Sequence, residues 1–145
     1  MENNLQHENA ELKARLRAFA AIMRLGRDAF EQPDLTTVGV HIVNNSRTLL
    51  AYESSCLADM RRKPSIVAEY AQVEVKQHTE YAADVKTLCR NLDFSGGMVE
   101  LSDRNETLKK LPQKVQDAFE RLTEEGGSLI LVPLRSTRYR NSAKE

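Results

Sequence analysis

The stretch Val38–Tyr52, VGVHIVNNSRTLLAY, admits two incompatible structures, and the choice between them decides the fold. By composition it is a β-hairpin, with a β-branched run, Asn44-Asn45-Ser46 as the turn, and a second apolar run. By spacing it is one face of a helix. Pro33 disfavours helix at Gln32, and Asp34 is a good N-cap for a helix starting at Leu35. From that cap Leu35, Val38, Ile42, Asn45 and Leu49 recur at three and four residues, with Val43 and Leu50 beside them. Strict alternation fails at Val43 and at the Leu49-Leu50 pair. The turn lacks the Gly that the best two-residue hairpins carry in second position. The spacing therefore predicts a helix with Asn45 close to the apolar stripe, handing over to a strand near Leu50.

Outward from this stretch, the segment from Glu2 to about Arg27 reads as a long helix of good helix formers, with Gly26 near its end. Leu5, Asn9, Leu12, Leu16, Phe19 and Met23 alternate at four and three residues. This is a heptad seam, with Leu5, Leu12 and Phe19 at d and Asn9, Leu16 and Met23 at a. Glu8 then falls at g and Lys13 at the following e, the spacing of an interchain ion pair in a parallel coil. A stripe of this width also suits a helix lying on its own domain's core. The polar surroundings of its first half (Asn3, Asn4, Gln6, His7, Glu8) favour a homodimer, and the six seam residues are the expected dimer interface.

Beyond Tyr52, alternation predicts a strand through Leu57, a turn at RRKP (Arg61–Pro64), and a second, antiparallel strand over SIVAEYAQVEV (Ser65–Val75). Helical spacing returns with Tyr81, Val85, Leu88 and Leu92. A Gly-Gly turn and a short strand follow in DFSGGMVELSD, Asp93–Asp103. Pro112 opens a helix striped by Val115, Ala118, Phe119 and Leu122 and ended by Gly126. SLILVPLRS (Ser128–Ser136) reads as a buried strand, apolar on both faces until Pro133, and residues 137–145 as a polar tail.

The apolar pattern of LRAFAAIMRLGRDAFEQPDLTTVGVHIVNNSRTLLAYESSCL and of LPQKVQDAFERLTEEGGSLILVPLRS resembles a GAF domain, closest to divergent bacterial members. The resemblance covers most of residues 12–136. It implies an α+β fold, an antiparallel sheet flanked by helices, here preceded by the long N-terminal helix. The family's pattern continues past its "PL" strand, so the resemblance implies a segment truncated at its C-terminal end. It also implies a non-enzymatic regulatory or signalling module that dimerises or senses a small ligand. Neither the Cys-His arrangement of bilin-binding members nor the motif of cyclic-nucleotide members is present. On this reading residues 1–27 are a dimerisation helix and 28–136 the GAF-like domain.

Charge and motif content narrow the function further. The chain has 21 basic and 21 acidic residues in 145, which argues against a protein built to bind nucleic acid. No stretch approaches the roughly 18 apolar residues of a membrane span, and the polar, acidic start is unlike a signal peptide, so no membrane insertion and a cytoplasmic address are expected. Cys56 and Cys89 are then expected as buried thiols. His7, His41 and His78 show no metal-ligand spacing, and the Asp residues form no recognisable acid pair. No catalytic residue or metal site is expected, and the cofactor is left open. Tyr70, Tyr81 and Cys89 are the candidates for a small-molecule pocket between the second strand and the helix after it, with core packing the commoner role of such tyrosines. The basic RRK cluster and Arg135, Arg138 and Arg140 could meet an acidic partner, although solvated loops are the commoner use of such runs.

Overall fold

The computed structural model describes residues 2–104, 106–123 and 126–134 of the chain. The fold is mixed α+β, with a long N-terminal helix and two small antiparallel sheets. By sequence pattern the divisions fall near Arg27 and Ser136; by packing the chain divides between Gln77 and His78 into two compact units. The expected polar tail, residues 137–145, and Arg135, Arg138 and Arg140 lie outside the described residues.

The first unit holds α1 (Glu2–Phe30), α2 (Leu35–Asn45), a 3-10 turn (Ser46–Thr48), β1 (Cys56–Asp59) and β2 (Ser65–Glu69). The deciding stretch is helical. Asp34 caps α2: its carboxylate accepts from the Thr37 N–H at 2.8 Å and the Thr37 hydroxyl at 3.1 Å. These bonds hold the Asp34 carboxyl below the usual range, the backbone donor most of all. The two asparagines that mimic a hairpin turn instead use their side chains within and beyond the helix. Asn44 Nδ2 donates to the Val40 carbonyl, and Asn44 Oδ1 accepts from the Ala71 N–H where the chain leaves β2. Asn45, which the spacing set close to the apolar stripe, is exposed and bonds His41 Nδ1 at 2.9 Å.

The strand begins later than alternation suggests. Residues 50–55 are irregular, and β1 starts at Cys56. The reason is a side-chain demand from the helix end. Both the Tyr52 hydroxyl, at 2.6 Å, and Ser55 Oγ, at 3.1 Å, donate to the Val43 carbonyl. Satisfying that carbonyl draws the segment back onto the helix terminus and away from a ladder. The second strand is likewise shorter than expected, ending at Glu69. Its edge is closed by Gln77, whose amide donates to the Ile66 carbonyl and accepts from the Ile66 N–H.

β1 and β2 pair antiparallel with an irregularity between Leu57 and Ala58. α2 lies on this ribbon through Gly39 and Val43, against Ile66 and Ala68. Gly39 is required by proximity. A Cβ there would stand 3.1 Å from the Ala68 Cβ and Leu57 Cδ2, and 3.2 Å from Val67 Cγ1.

The second unit holds α3 (Glu80–Asn91), β3 (Val99–Ser102), a short α4 (Glu106–Lys109), α5 (Gln113–Leu122) and β4 (Ser128–Leu131). Thr79 caps α3 by accepting from the Ala82 N–H at 3.1 Å. Leu88, Leu101, Leu108, Val115, Ala118 and Phe119 form its core. The 3.6-residue stripe of α5 delivers Val115, Ala118 and Phe119 to that core, each fully buried. The expectation of a buried last strand is corrected. Leu129 and Leu131 pack on the core, while Ile130 and Val132 are exposed. A two-stranded ribbon has one covered face, and no further layer lies over the other among the described residues.

Gly39→Val should destabilise the first unit by about 1–3 kcal/mol through overpacking at the α2–ribbon contact. Hydrogen exchange at the Ile66 and Ala68 amides measures this, and unchanged protection would remove the close approach from the account.

Candidate interaction surface

α1 is a helix of 29 residues, about 44 Å long at 1.5 Å per residue. Its side chains from Asn4 to Ala20 are all exposed. Partial burial begins only at Ala21 and recurs at Leu25, Asp28 and Ala29, in the turns that pack on α2. In the heptad register these four positions are f, c, f and g. At 100° per residue they lie on the side of the helix roughly opposite the a/d seam. Packing within the unit therefore leaves the whole seam uncovered.

The six seam residues sit where the spacing places them, along one stripe of α1. Leu5, Leu12, Leu16, Phe19 and Met23 are between 59% and 68% exposed, and Asn9 is exposed among them. Two residues escaped the sequence reading. The helix runs past Gly26 to Phe30, and continuing the register seven residues from Met23 puts Phe30 at a. Phe30 is 94% exposed. Ile22, at g, is also exposed and widens the stripe. The signal for Phe30 was available in the register itself, had the helix not been ended at about Arg27. Beside the stripe, Glu8, Glu11, Leu12 and Arg15 outline an open hollow of about 190 Å³, and an Arg15–Glu11 ion pair one turn apart crosses it.

A helix whose side chains are all exposed over 17 positions among the described residues is marginal in water by itself, because nucleation is costly and propensity alone supplies little. Covering the stripe would add to its stability, since burying one large apolar side chain yields about 1.5–3 kcal/mol.

The three pocket candidates are placed differently. Tyr70 belongs to the first unit, and Tyr81 and Cys89 lie on α3 of the second. Tyr70 is engaged on two sides: Arg47 donates to its hydroxyl and stands 5.1 Å above its ring, and Tyr52 meets it edge-on at 5.6 Å. These contacts fasten the 3-10 turn to the end of β2. An open hollow of about 550 Å³ adjoins them, lined by Arg47, Thr48, Leu49, Ala51, Tyr52 and Glu53.

The remaining charged residues of note serve packing. In the second unit the buried Asp84 accepts two bonds from Arg121, from Nε at 2.9 Å and Nη2 at 2.7 Å. Glu80 lies 3.6 Å from the same guanidinium. The Asp84 bonds raise the Arg121 pKa above its ordinary value. This bidentate pair ties α3 to α5. Of the RRK cluster, Arg61 binds Asp59 and holds that carboxyl down to about 2. Cys56 and Cys89 are half-buried and form no disulfide. Among the described residues no group of three His, Cys, Asp or Glu side chains could hold a metal ion. Among them too, no helix is long and apolar enough to cross a membrane.

No protein-family model matches the chain, and neither a curated protein nor a solved structure shows significant similarity to it.

Because the side chains of Asn4–Ala20 are all exposed among the described residues, the far-UV helical signal should fall on dilution and recover on concentration. A signal independent of concentration would mean that α1 is stable alone.

Proposed function

We propose that the chain is a non-enzymatic interaction module that self-associates through α1, a regulatory domain of GAF type. One observation carries the self-association: the apolar seam of α1 is exposed along its full length and lies roughly opposite the face that is half-buried among the described residues. A surface whose apolar positions repeat every seven residues, with an acidic residue at g and a basic one at the next e, is chemically suited to a helix like itself. The GAF-type character rests on the apolar pattern of residues 12–136 alone.

Contiguous exposed apolar surface of this kind marks an association site in soluble proteins. The regulatory role follows from that: a module that dimerises passes on its state by pairing or separating whatever is attached to it.

Sedimentation velocity tests the reading. The chain should sediment as a dimer, and the double variant Leu12→Glu, Leu16→Glu as a monomer with the rest of its structure intact. A dimer unaffected by both charges would overturn it.

A further inference from the structure

We infer that the second copy lies parallel and in register on α1, with the seam running through four heptads from Leu5 to Phe30. This rests on the self-association proposed above and adds the orientation. Two arrangements cover the stripe equally well by apolar contact. In the parallel one, each seam residue meets its own counterpart: Leu5, Asn9, Leu12, Leu16, Phe19, Met23 and Phe30, with Gly26 on Gly26. In the antiparallel one, a meets d, so Leu5 meets Phe30, Leu12 meets Met23, Leu16 meets Phe19, and Asn9 meets Gly26.

The polar positions break the tie. In parallel, the Asn9 amides from the two chains face each other and can exchange a hydrogen bond, which an apolar seam otherwise denies them. Antiparallel pairing sets each Asn9 against Gly26, which has no side chain to answer it. The flanks agree. In parallel, Glu8 at g reaches Lys13 at the following e of the partner, twice by symmetry. The next g–e pairs are Arg15 with Ala20 and Ile22 with Arg27, neither of them repulsive. Antiparallel flanks bring g beside g and e beside e: Glu8 near Ala29, Arg15 near Ile22, Gln6 near Arg27, and Lys13 near Ala20. No ion pair results.

Charge complementarity and the single buried amide thus commit the occupant to a second copy in one orientation. The two Phe30 rings then meet at one end of the coil, where both chains turn at Glu31–Asp34 into α2. Both first units are displayed at that end, a bivalent arrangement that strengthens binding to any repeated target.

The test mixes two single-thiol variants, Leu12→Cys and Met23→Cys, each with Cys56 and Cys89 replaced by Ala. They are equilibrated under a glutathione redox buffer and separated by mass. The background without an engineered thiol serves as control. Parallel pairing predicts that each variant links only to its own kind, because residue 12 faces residue 12 and residue 23 faces residue 23. Mixed Leu12→Cys–Met23→Cys product alone would overturn the orientation while leaving self-association in place. A dimer by sedimentation with no linkage in either variant would show that the seam is not the contact. A monomer would bring down both this inference and the proposal beneath it.

Discussion

A helix packed along one side of its last turns must find another use for its opposite side, and that constraint governs this protein. The last turns of α1, where Ala21, Leu25, Asp28 and Ala29 are half-buried, pack on α2. The diametric face carries the hydrophobic positions of four heptads. Were the seam and the docking face the same, α1 would fold back on its own unit and no association surface would remain. Their separation by about half a turn lets the first unit anchor the helix base while the remaining length projects an apolar stripe.

Behind α1, the close packing of α2 on its ribbon gives that base a fixed direction. Gly39 brings helix and strands within a distance that a Cβ would disturb. Asp34 fixes where the helix begins, and Tyr52 and Ser55 satisfy the Val43 carbonyl near its end. Arg47 and Tyr52 clasp Tyr70 and tie the helix terminus to the exit of β2. Each contact is modest, and together they define the first unit. The second unit repeats the strategy with different parts: a core around Phe119 and Leu88, and the Asp84–Arg121 pair joining its two larger helices.

Much of this was legible in local pattern. The Asp34 cap and the three-four spacing after it identified α2 correctly against a plausible hairpin, because a cap and a period are local properties. The seam was legible for the same reason. What escaped depends on residues distant in sequence. The start of β1 is delayed by bonds from Tyr52 and Ser55 to a carbonyl nine and twelve residues earlier. The run from Ser128 onward looked buried because hydropathy does not report how many layers cover a strand. The helix was expected to end at about Arg27, just past Gly26, yet a mid-helix Gly costs only about 1 kcal/mol, and the helix continues to Phe30. Which face of α1 meets α2 is set by tertiary packing, and no heptad count reveals it. Tyr70 falls in the first unit and Tyr81 and Cys89 in the second, a division between Gln77 and His78 that no strong composition change announces.

The central claim is that the seam of α1 is covered by a second copy of the chain. Hydrogen exchange of the Leu5–Ala20 backbone amides at two protein concentrations tests it most directly, because the side chains of that segment are all exposed among the described residues. Strong protection at high concentration that is lost on dilution is the expected result. Fast exchange at every concentration, with the α2 and α5 amides still protected, would contradict the account.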